Sequence, residues 1–557
     1  MGYQAGTAMT TSAKNVVIGY RAAYSATTNP ESVYIGYEAG KNTVNASGNT
    51  VVGYQAFLDQ SGSNSGNTCI GNHAGKSLQS MYTTCVGNQA GYSVTSGGWS
   101  TYLGGNAGYN LTTGTMNVCV GNNAGQGGSG STVAESVFIG GNCAMAVTTA
   151  AATIAIGHQA LDVLTTGSYN VAIGKDSQGA MTTGNYNIAI GFESLKTATT
   201  GHGNIAIGQK AMNGGNITGS NNVAVGLECL KSISGNVNGS TAVGYRAGYT
   251  SSTQDNQLTA FGFEALYTAT GIRNTGIGYR ALKLCSSGGQ NTALGYMAGN
   301  NISTGGTNTC LGHESMNALV DGSGNTAVGY NSMYVANSAD QNVAIGREAM
   351  YSSTSARYNV AVGYQALYNN TTGNENTALG YNAGKTQGNT THSLWIANGD
   401  AGAGNANCKI FGNSSGSCYQ GSNSSSWSTT SDRRLKKNIV DNTKGLTEIN
   451  NLKVRNFEYR KRSEIDMEEF PNATDPLQVV LGEQMQGEDS NVGTHTGIIA
   501  QEIEEILPEC IAVSHQGAKT VNTDPILWAL INAVKELSVK NDTLSAEVVS
   551  LKSQINN

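Results

Sequence analysis

Short apolar segments recur along the chain at a nearly constant interval, and each of them ends in glycine. Typical examples are "NVVIG" (15–19), "NIAIG" (187–191) and "NTALG" (376–380). Twenty-two such units run from Gly19 to Gly380, and successive glycines are 16 to 19 residues apart, most often 17. A fixed period of this length indicates a repeat architecture, in which one small structural unit is stacked on copies of itself.

Within the repeat, positions are numbered from the motif glycine at 0. Every unit has an apolar residue at −1 and Ala, Ser or Cys at +3, and 15 units have Asn at −4. Positions −3 and −1 share one face of a strand, whereas −4, −2 and 0 share the other. We therefore predict a short strand packed on both faces, with small residues where another backbone comes close.

A single strand of this length cannot bury a core, but stacked copies can. The pattern predicts a mainly β fold, a β-solenoid or triple β-helix shaft over residues 1–400. At ~4.8 Å per turn, twenty-two turns predict a rod on the order of 105 Å long. The recurring Asn predicts a ladder of side-chain amides. Separate sandwich domains are the alternative, but they would have longer strands and less regular spacing.

A second hydrophobic pattern, with a different period, occupies residues 526–557. Its apolar positions alternate at spacings of three and four, as in a left-handed coiled coil. β-branched residues at a with Leu at d favour a dimer, but we predict a trimer because a triple shaft upstream of the helix needs three strands. The polar Asn541 is predicted to fix the register. The predicted core consists of Leu527, Val534, Asn541, Val548 and Ile555 at a, and Leu530, Leu537, Leu544 and Leu551 at d.

Between these two patterns the chain changes character twice. Residues 401–430 are rich in Gly, Ser and Asn, which predicts a neck. Residues 431–525 are predicted to form a small α/β domain. In this part "VRNFEYR" (454–460) alternates like a strand. The stretch 496–510 predicts a strand end followed by a helix from about Ala500 to Ile506.

The net charge of the chain comes entirely from its last quarter. Residues 1–430 carry 16 Lys+Arg and 16 Asp+Glu, whereas residues 431–557 carry 14 and 20, which accounts for the whole formal charge of −6. The sequence gives no sign of a basic face, so we do not predict nucleic-acid binding. No apolar run approaches the ~18 residues of a spanning helix, and the N-terminus lacks the apolar core of a secretion signal. We expect a protein made inside a cell and not inserted in a membrane.

The chain has ten cysteines, and most of them follow the repeat. The pattern predicts small buried fillers rather than metal ligands, because no CxxC or His/Cys cluster has ligand spacing. We expect no metal and no cofactor. The cysteines at −2 are Cys69, Cys85, Cys119 and Cys310, and those at +3 are Cys143 and Cys229.

Tyrosine recurs at +1, for example as Tyr20, Tyr54 and Tyr279. We predict that this row covers the flank of the rod, with stacking on sugars as the alternative. No pair of carboxylates recurs in the way a glycosidase requires. We therefore predict no enzyme in the shaft.

Three C-terminal segments carry a family resemblance. They are "SDRRLKKNI" (431–439), "TGIIAQEIEEILPE" (496–509) and "LINAVKELSVKNDTL" (530–544). In this order they resemble the intramolecular chaperone domain of endosialidase-type phage tail spikes. The repeats are similar to the head repeats of trimeric autotransporter adhesins and to repeats of phage tail fibres.

The resemblance implies a domain that assists trimerisation of the upstream fibre and then cuts itself off. The family's Ser and Lys correspond to Ser431 and Lys436, so the implied cleavage lies between Thr430 and Ser431. A serine hydroxyl becomes a nucleophile when a base takes its proton, and a desolvated lysine can be that base. From the residues alone, Ser431 followed by Asp432 would equally suit the N-cap of a short helix.

These observations predict a homotrimeric bacteriophage tail fibre or tail spike, assembled in the host cytoplasm and incorporated in the virion. Its expected partners are an upstream fibre or baseplate protein and a host surface receptor such as a glycan. A glycan-degrading tail spike is the first alternative. A trimeric cell-surface adhesin is the second.

Overall fold

In the computed structural model the chain divides into two compact units, Met1–Trp427 and Ser428–Asn557. The first unit is a parallel β-solenoid and the second is a small mixed unit that includes a long helix. The residues that the structure describes are 2–250, 257–386, 388–399, 408–412, 418–420, 433–458, 460, 465–470, 494–513 and 517–556.

Twenty-two strands of three residues each form the solenoid. Each strand pairs in parallel with the next one along the chain, so that the same repeat positions meet in register. The predicted solenoid is confirmed. The strands are β1 (Val16–Ile18), β2 (Val33–Ile35), β3 (Thr50–Val52), β4 (Thr68–Ile70), β5 (Thr84–Val86), β6 (Thr101–Leu103), β7 (Val118–Val120), β8 (Val137–Ile139), β9 (Ile154–Ile156), β10 (Val171–Ile173), β11 (Ile188–Ile190), β12 (Ile205–Ile207), β13 (Val223–Val225), β14 (Thr241–Val243), β15 (Thr259–Phe261), β16 (Thr275–Ile277), β17 (Thr292–Leu294), β18 (Thr309–Leu311), β19 (Thr326–Val328), β20 (Val343–Ile345), β21 (Val360–Val362) and β22 (Thr377–Leu379).

The motif glycine ends each strand with a turn that no other residue allows. Gly191 has a φ of 134°, outside the range of side-chain-bearing residues. A Cβ at this position would lie 2.6 Å from the carbonyl oxygen of Gly208 in the next turn. Because every turn repeats this close approach, the glycine period in the sequence sets the period of the coil.

The core of the solenoid is narrow and filled mainly by small residues. Inward side chains at −2 and +3, such as Ala189 and Ser194, are fully buried. Larger residues are accommodated by glycine nearby. A Cβ on Gly108 would lie 2.3 Å from Cδ1 of the buried Tyr102 ring. A large side chain at one inward position is therefore offset by a glycine beside it, so that the narrow core stays filled without overlap.

The predicted amide ladder is present inside the coil. The side-chain oxygen of Asn170 accepts hydrogen bonds from the backbone N–H of Asn187 (2.9 Å) and from its Nδ2 (3.2 Å). Nδ2 of Asn187 also donates to the carbonyl of Gly201 at 2.9 Å. Each buried amide thus ties its own turn to the turns before and after it, which satisfies backbone groups that water cannot reach.

The outer face of the strands differs from the prediction of packing on both sides. Position −2 is buried in every solenoid strand from β2 to β22, but the −1 residues are half-buried or exposed, reaching 50% for Phe261. The reason is geometric, since each turn closes on the −4/−2/0 side. The described part of the chain does not cover the −3/−1 side.

The solenoid continues for one more strand and then changes direction. β23 (Leu394–Ala397) pairs in parallel with β22, and Trp395 in this strand is fully buried. β24 (Cys408–Gly412) and β25 (Cys418–Gln420) then pair antiparallel to their predecessors. These two strands lie in the stretch predicted only as a neck.

The second unit has its own small core. Its helices are α1 (Leu446–Asn451), α2 (Ala500–Glu504) and α3 (Asp524–Ile555), with 3₁₀ turns at Arg433–Leu435, Met467–Glu469 and Pro508–Cys510. Two antiparallel pairs join β26 (Arg455–Phe457) to β27 (His495–Gly497) and β28 (Ile511–Val513) to β29 (Lys519–Val521). Ile503, Leu507 and Cys510 form the buried centre. The predicted strand, short helix and long helix are all present.

Candidate functional site

The segment that carries the predicted base lies on the surface of the second unit. Lys436 follows the 3₁₀ turn Arg433–Leu435, and its backbone N–H donates to the carbonyl of Arg433 at 3.2 Å. Residues 433–440 are exposed throughout. Thr430 and Ser431 lie outside the described residues, so the predicted pairing of Ser431 with Lys436 remains a prediction.

Downstream of Lys436 the chain is attached to the long helix α3. Nδ2 of Asn532 donates to the carbonyl oxygens of Asn442 and Lys444, both at 2.9 Å. The backbone N–H of Leu446, at the start of α1, donates to the carboxylate of Glu536 at 3.2 Å. This attachment was not predicted from the sequence, because the partners are about 90 residues apart.

Helix α3 presents its predicted core rows to solvent. Leu537 is 51% exposed and Leu544 is 58% exposed, whereas Ala529 and Ala533 are buried. A single amphipathic helix with an apolar row left outside is incomplete without a partner. The exposed members of the a and d rows are Leu527, Leu530, Val534, Leu537, Asn541, Leu544, Val548, Leu551 and Ile555.

The tyrosine row at +1 stacks on itself along the rod. Ring centroids of Phe263 and Tyr279 lie 5.2 Å apart, and those of Tyr279 and Tyr296 lie 5.0 Å apart with planes 7° from parallel. Where neighbouring turns both carry rings, each ring covers the face of the next. This arrangement agrees with the predicted covering of the flank, because stacking on a sugar requires an uncovered face.

A second aromatic row was missed in the sequence. It occupies position −5, where Tyr169 and Tyr186 stack with centroids 5.1 Å apart and are 53% and 62% exposed. The same position carries Ala152 in the turn before this pair and Gly203 in the turn after it. The pair therefore has no ring above or below it. The signal in the sequence is the Tyr of "TTGSYN" (165–170) and "TTGNYN" (182–187), which stands among turn-forming residues and outside the apolar repeat positions.

Charged residues of the solenoid form compact ion pairs at the +2 corner. The carboxylate of Glu193 lies 2.8 Å from Nζ of Lys196 and 3.8 Å from that of Lys210. The hydrogen bond from Lys196 lowers the pKa of Glu193. Lys196 also lies 3.5 Å from Asp176, in a shallow cleft that includes Asp162. The acids in this cleft are thus balanced by lysine, as expected for a structural ladder.

The eight cysteines other than Cys408 and Cys418 are buried and form no disulfide. Burial raises the pKa of Cys143 and Cys229 to about 12, so the reactive thiolate is disfavoured. In the described ranges, no group of three His, Cys, Asp or Glu side chains is arranged to hold a metal ion. None of the helices in this part of the chain has the length and apolarity needed to cross a bilayer.

Comparison with protein families gives one match. Residues 431–512 match the family model described as chaperone of endosialidase, a peptidase family. The matched range begins at Ser431, includes Lys436, and ends before α3. Neither the curated proteins nor the solved structures contain a match to the chain. The matched C-terminal segment and the 22-turn solenoid together fit a tail fibre or tail spike with an intramolecular chaperone.

Proposed function

We propose that the chain is a homotrimeric bacteriophage tail fibre or spike whose C-terminal unit assists trimerisation and then releases itself by cleavage between Thr430 and Ser431. The observation that carries this proposal is the junction of two unlike parts. A solenoid of parallel strands in register lies upstream of residue 431, and the match to a chaperone and peptidase family begins at that residue.

The proposed cleavage uses the two residues implied by the family resemblance. Lys436 takes the proton of the Ser431 hydroxyl, and the oxygen attacks the carbonyl carbon of Thr430. A C–O ester bond forms, the C–N bond of the peptide breaks, and the amine of Ser431 receives the proton. Water then hydrolyses the ester, which leaves a carboxylate on Thr430 and restores the serine hydroxyl. Each molecule turns over once.

A denaturing gel of four proteins tests the cleavage. We expect the 57.5 kDa chain to give fragments of roughly 45 and 13 kDa in wild type. Ser431→Ala and Lys436→Ala remain intact. Lys437→Ala is the matched control, since it removes a neighbouring exposed charge outside the proposed pair, and it cleaves like wild type. A full-length band in wild type after complete assembly would contradict the proposal.

Two unpartnered apolar surfaces support the homotrimer. One is the a/d face of α3 and the other is the outer apolar face of the solenoid, defined as the −1 residues of β1–β22. A continuous apolar row along a rod on the order of 105 Å exceeds what a soluble monomer normally exposes. Copies of the same chain, in the same register, would cover both surfaces at once.

Light scattering after size-exclusion chromatography measures the number of chains directly. We expect three chains per particle for Ser431→Ala, which retains α3. Mixing two chains with tags of different size during expression should give four species on a native gel, as a trimer requires. A monomer, or three species from a dimer, would contradict the homotrimer.

For host attachment we propose that the fibre binds a surface saccharide, and that Tyr169 and Tyr186 contribute to the binding surface. Their exposed rings end against Ala152 and Gly203, which leaves ring faces open to a pyranose. In this proposal the trimer is assembled in the host cytoplasm and joins an upstream fibre or baseplate protein in the virion.

An array of bacterial surface saccharides tests this surface. We expect Tyr186→Ala to lose binding to a saccharide that wild type retains. Tyr279→Ala is the matched control, because its ring is stacked between Phe263 and Tyr296. Equal binding by wild type and Tyr186→Ala would contradict the role of this row, and no binding by wild type would contradict the saccharide receptor.

A further inference from the structure

Helix α3 has a second contact surface besides its a/d face. Asn532 and Glu536 lie one turn apart at heptad positions f and c, on the side of the helix that faces α1. Their side chains bond only to main-chain groups of the segment 442–446 in the contacts given above. A contact to main chain fixes the path of the segment whatever its side chains are.

The geometry at Gly445 shows how close this approach is. A Cβ on Gly445 would lie 2.0 Å from the carboxylate oxygen Oε1 of Glu536. The N–H of Gly445 donates to Glu448 at 2.8 Å, and the N–H of Leu446 donates to Glu536. Two carboxylates therefore accept from the free N–H groups at the start of α1, where negative charge is stabilising.

These contacts define a clamp, made of Asn532 and Glu536 on α3 and the backbone of residues 442–446. The clamp lies six residues downstream of Lys436, and residues 437–440 between them are exposed. Loss of the clamp would leave the exposed segment with more conformations, and a catalytic group must be held close to its productive geometry.

We infer that Asn532 and Glu536 are positioning residues for self-cleavage: they hold the segment that carries Lys436 in the geometry required for reaction with Ser431. The inference rests on the proposed cleavage between Thr430 and Ser431. In this inference α3 has two roles. Its a/d face associates with other chains, and its opposite face supports the segment that carries Lys436.

Single-turnover cleavage of the full chain, together with the trimer fraction, tests the clamp. Asn532→Asp keeps the shape of the side chain but replaces the two N–H bonds with repulsion between oxygens. We expect it to slow cleavage at least tenfold. Glu536→Ala should slow cleavage similarly, whereas Glu536→Gln retains an acceptor for Leu446 and should cleave within about twofold of wild type. All variants should remain trimers.

Ser550→Ala is the matched control, since Ser550 lies two heptads further along α3 at the same position c as Glu536 and is exposed. It should cleave like wild type. If wild type itself does not cleave, the proposed function fails. If wild type cleaves and the trimeric Asn532→Asp and Glu536→Ala variants cleave at its rate, the clamp inference alone is wrong. Equal slowing in Glu536→Gln and Glu536→Ala would also overturn it.

Discussion

At the residue scale, the buried asparagine is the most consequential polar residue of the solenoid. Asn308 donates from Nδ2 to Asn291 (3.1 Å) and to the carbonyl of Gly322 (2.8 Å). Its oxygen accepts from the N–H and the side chain of Asn325. Because these groups are buried, removing one amide leaves several partners without a bond, and unmade buried bonds cost more than formed ones contribute.

Asn308→Ala should therefore destabilise the shaft strongly. We expect a loss of at least ~2 kcal/mol, since each buried polar group left without a partner costs ~1–3 kcal/mol. Thermal unfolding of the full chain measures the effect. Asn216→Ala, in which an exposed Asn is replaced, is the control and should change stability little. Equal melting temperatures for the two variants would contradict the role of the ladder.

The ion pairs at the +2 corner predict a pH dependence. The pKa of Glu228 is lowered, first by the hydrogen bond from Lys231 and then by that from Arg246. A lowered carboxyl pKa adds stability that is present above the ordinary glutamate value of about 4.3 and is lost as pH falls through the folded value.

We therefore expect wild type to be more stable than Glu228→Gln at pH 6, with the difference disappearing towards pH 3. Melting temperatures across this range measure it, and the difference should be modest because the pair is partly exposed to solvent. Glu135→Gln, at an exposed position, is the control. A difference that persists unchanged at pH 3 would contradict the ion-pair explanation.

At the element scale, α3 should depend on its a/d face and not on apolar surface in general. Leu537 at d is 51% exposed in the single chain, and Val539 at f is 65% exposed. An aspartate in an association face would be buried without a partner, whereas at f it remains in water.

Leu537→Asp should abolish trimers, and Val539→Asp should leave them intact. Light scattering on the Ser431→Ala background, which retains the helix, gives the number of chains for both. We also expect the shaft of Leu537→Asp to aggregate. Without association of α3, the outer apolar faces of different chains would meet out of register. Trimers of Leu537→Asp would show that α3 does not associate through this face.

Sequence pattern predicted the elements well where the physical cause is local. The period of the glycine follows from a φ of 134° and a close carbonyl, and both recur in every turn. The heptad predicted a helix that is present from Asp524 to Ile555. The exposure of the −1 row was not predicted, since whether an outer face is covered depends on other chains rather than on the strand itself.

The candidate site was harder to predict from the sequence than the strands and helices were. Lys436 came from a family resemblance, because a serine and a lysine five residues apart have no specific meaning alone. The clamp of Asn532 and Glu536 has no local signal, as its partners are about 90 residues away. The exposed pair that includes Tyr186 was not predicted for a different reason. An aromatic residue within a Gly/Asn turn does not contribute to the hydrophobic period.

At the scale of the whole molecule, cleavage would convert equilibrium stability into kinetic stability. Contacts between turns and between chains form slowly, because every turn must find its own register. A C-terminal helix that associated first would fix stoichiometry and register. Once the proposed cleavage had released the helix, the unfolded shaft would have no comparable nucleus.

Refolding after complete denaturation should therefore distinguish cleaved from uncleaved fibres. We expect Ser431→Ala to recover trimers when denaturant is diluted, whereas the cleaved wild-type shaft recovers few. Native gels count the recovered trimers in each sample. Adding the separately purified C-terminal fragment to the cleaved shaft should not restore recovery, because the covalent link is what raises its local concentration. Equal recovery of both fibres would contradict the kinetic explanation.

The one-dimensional bonding of the solenoid has a consequence for how such a fibre can change over generations. Each turn is bonded to the turn before it and the turn after it, and equal positions lie in register. Deleting residues 188–204 would join Asn187 directly to Ile205, which restores the order −4, −3 and brings together two turns of the same kind. The rod would shorten by ~4.8 Å without any new type of contact. Recombination between repeats can thus adjust the length of the rod in single steps, without any change in residues 431–557.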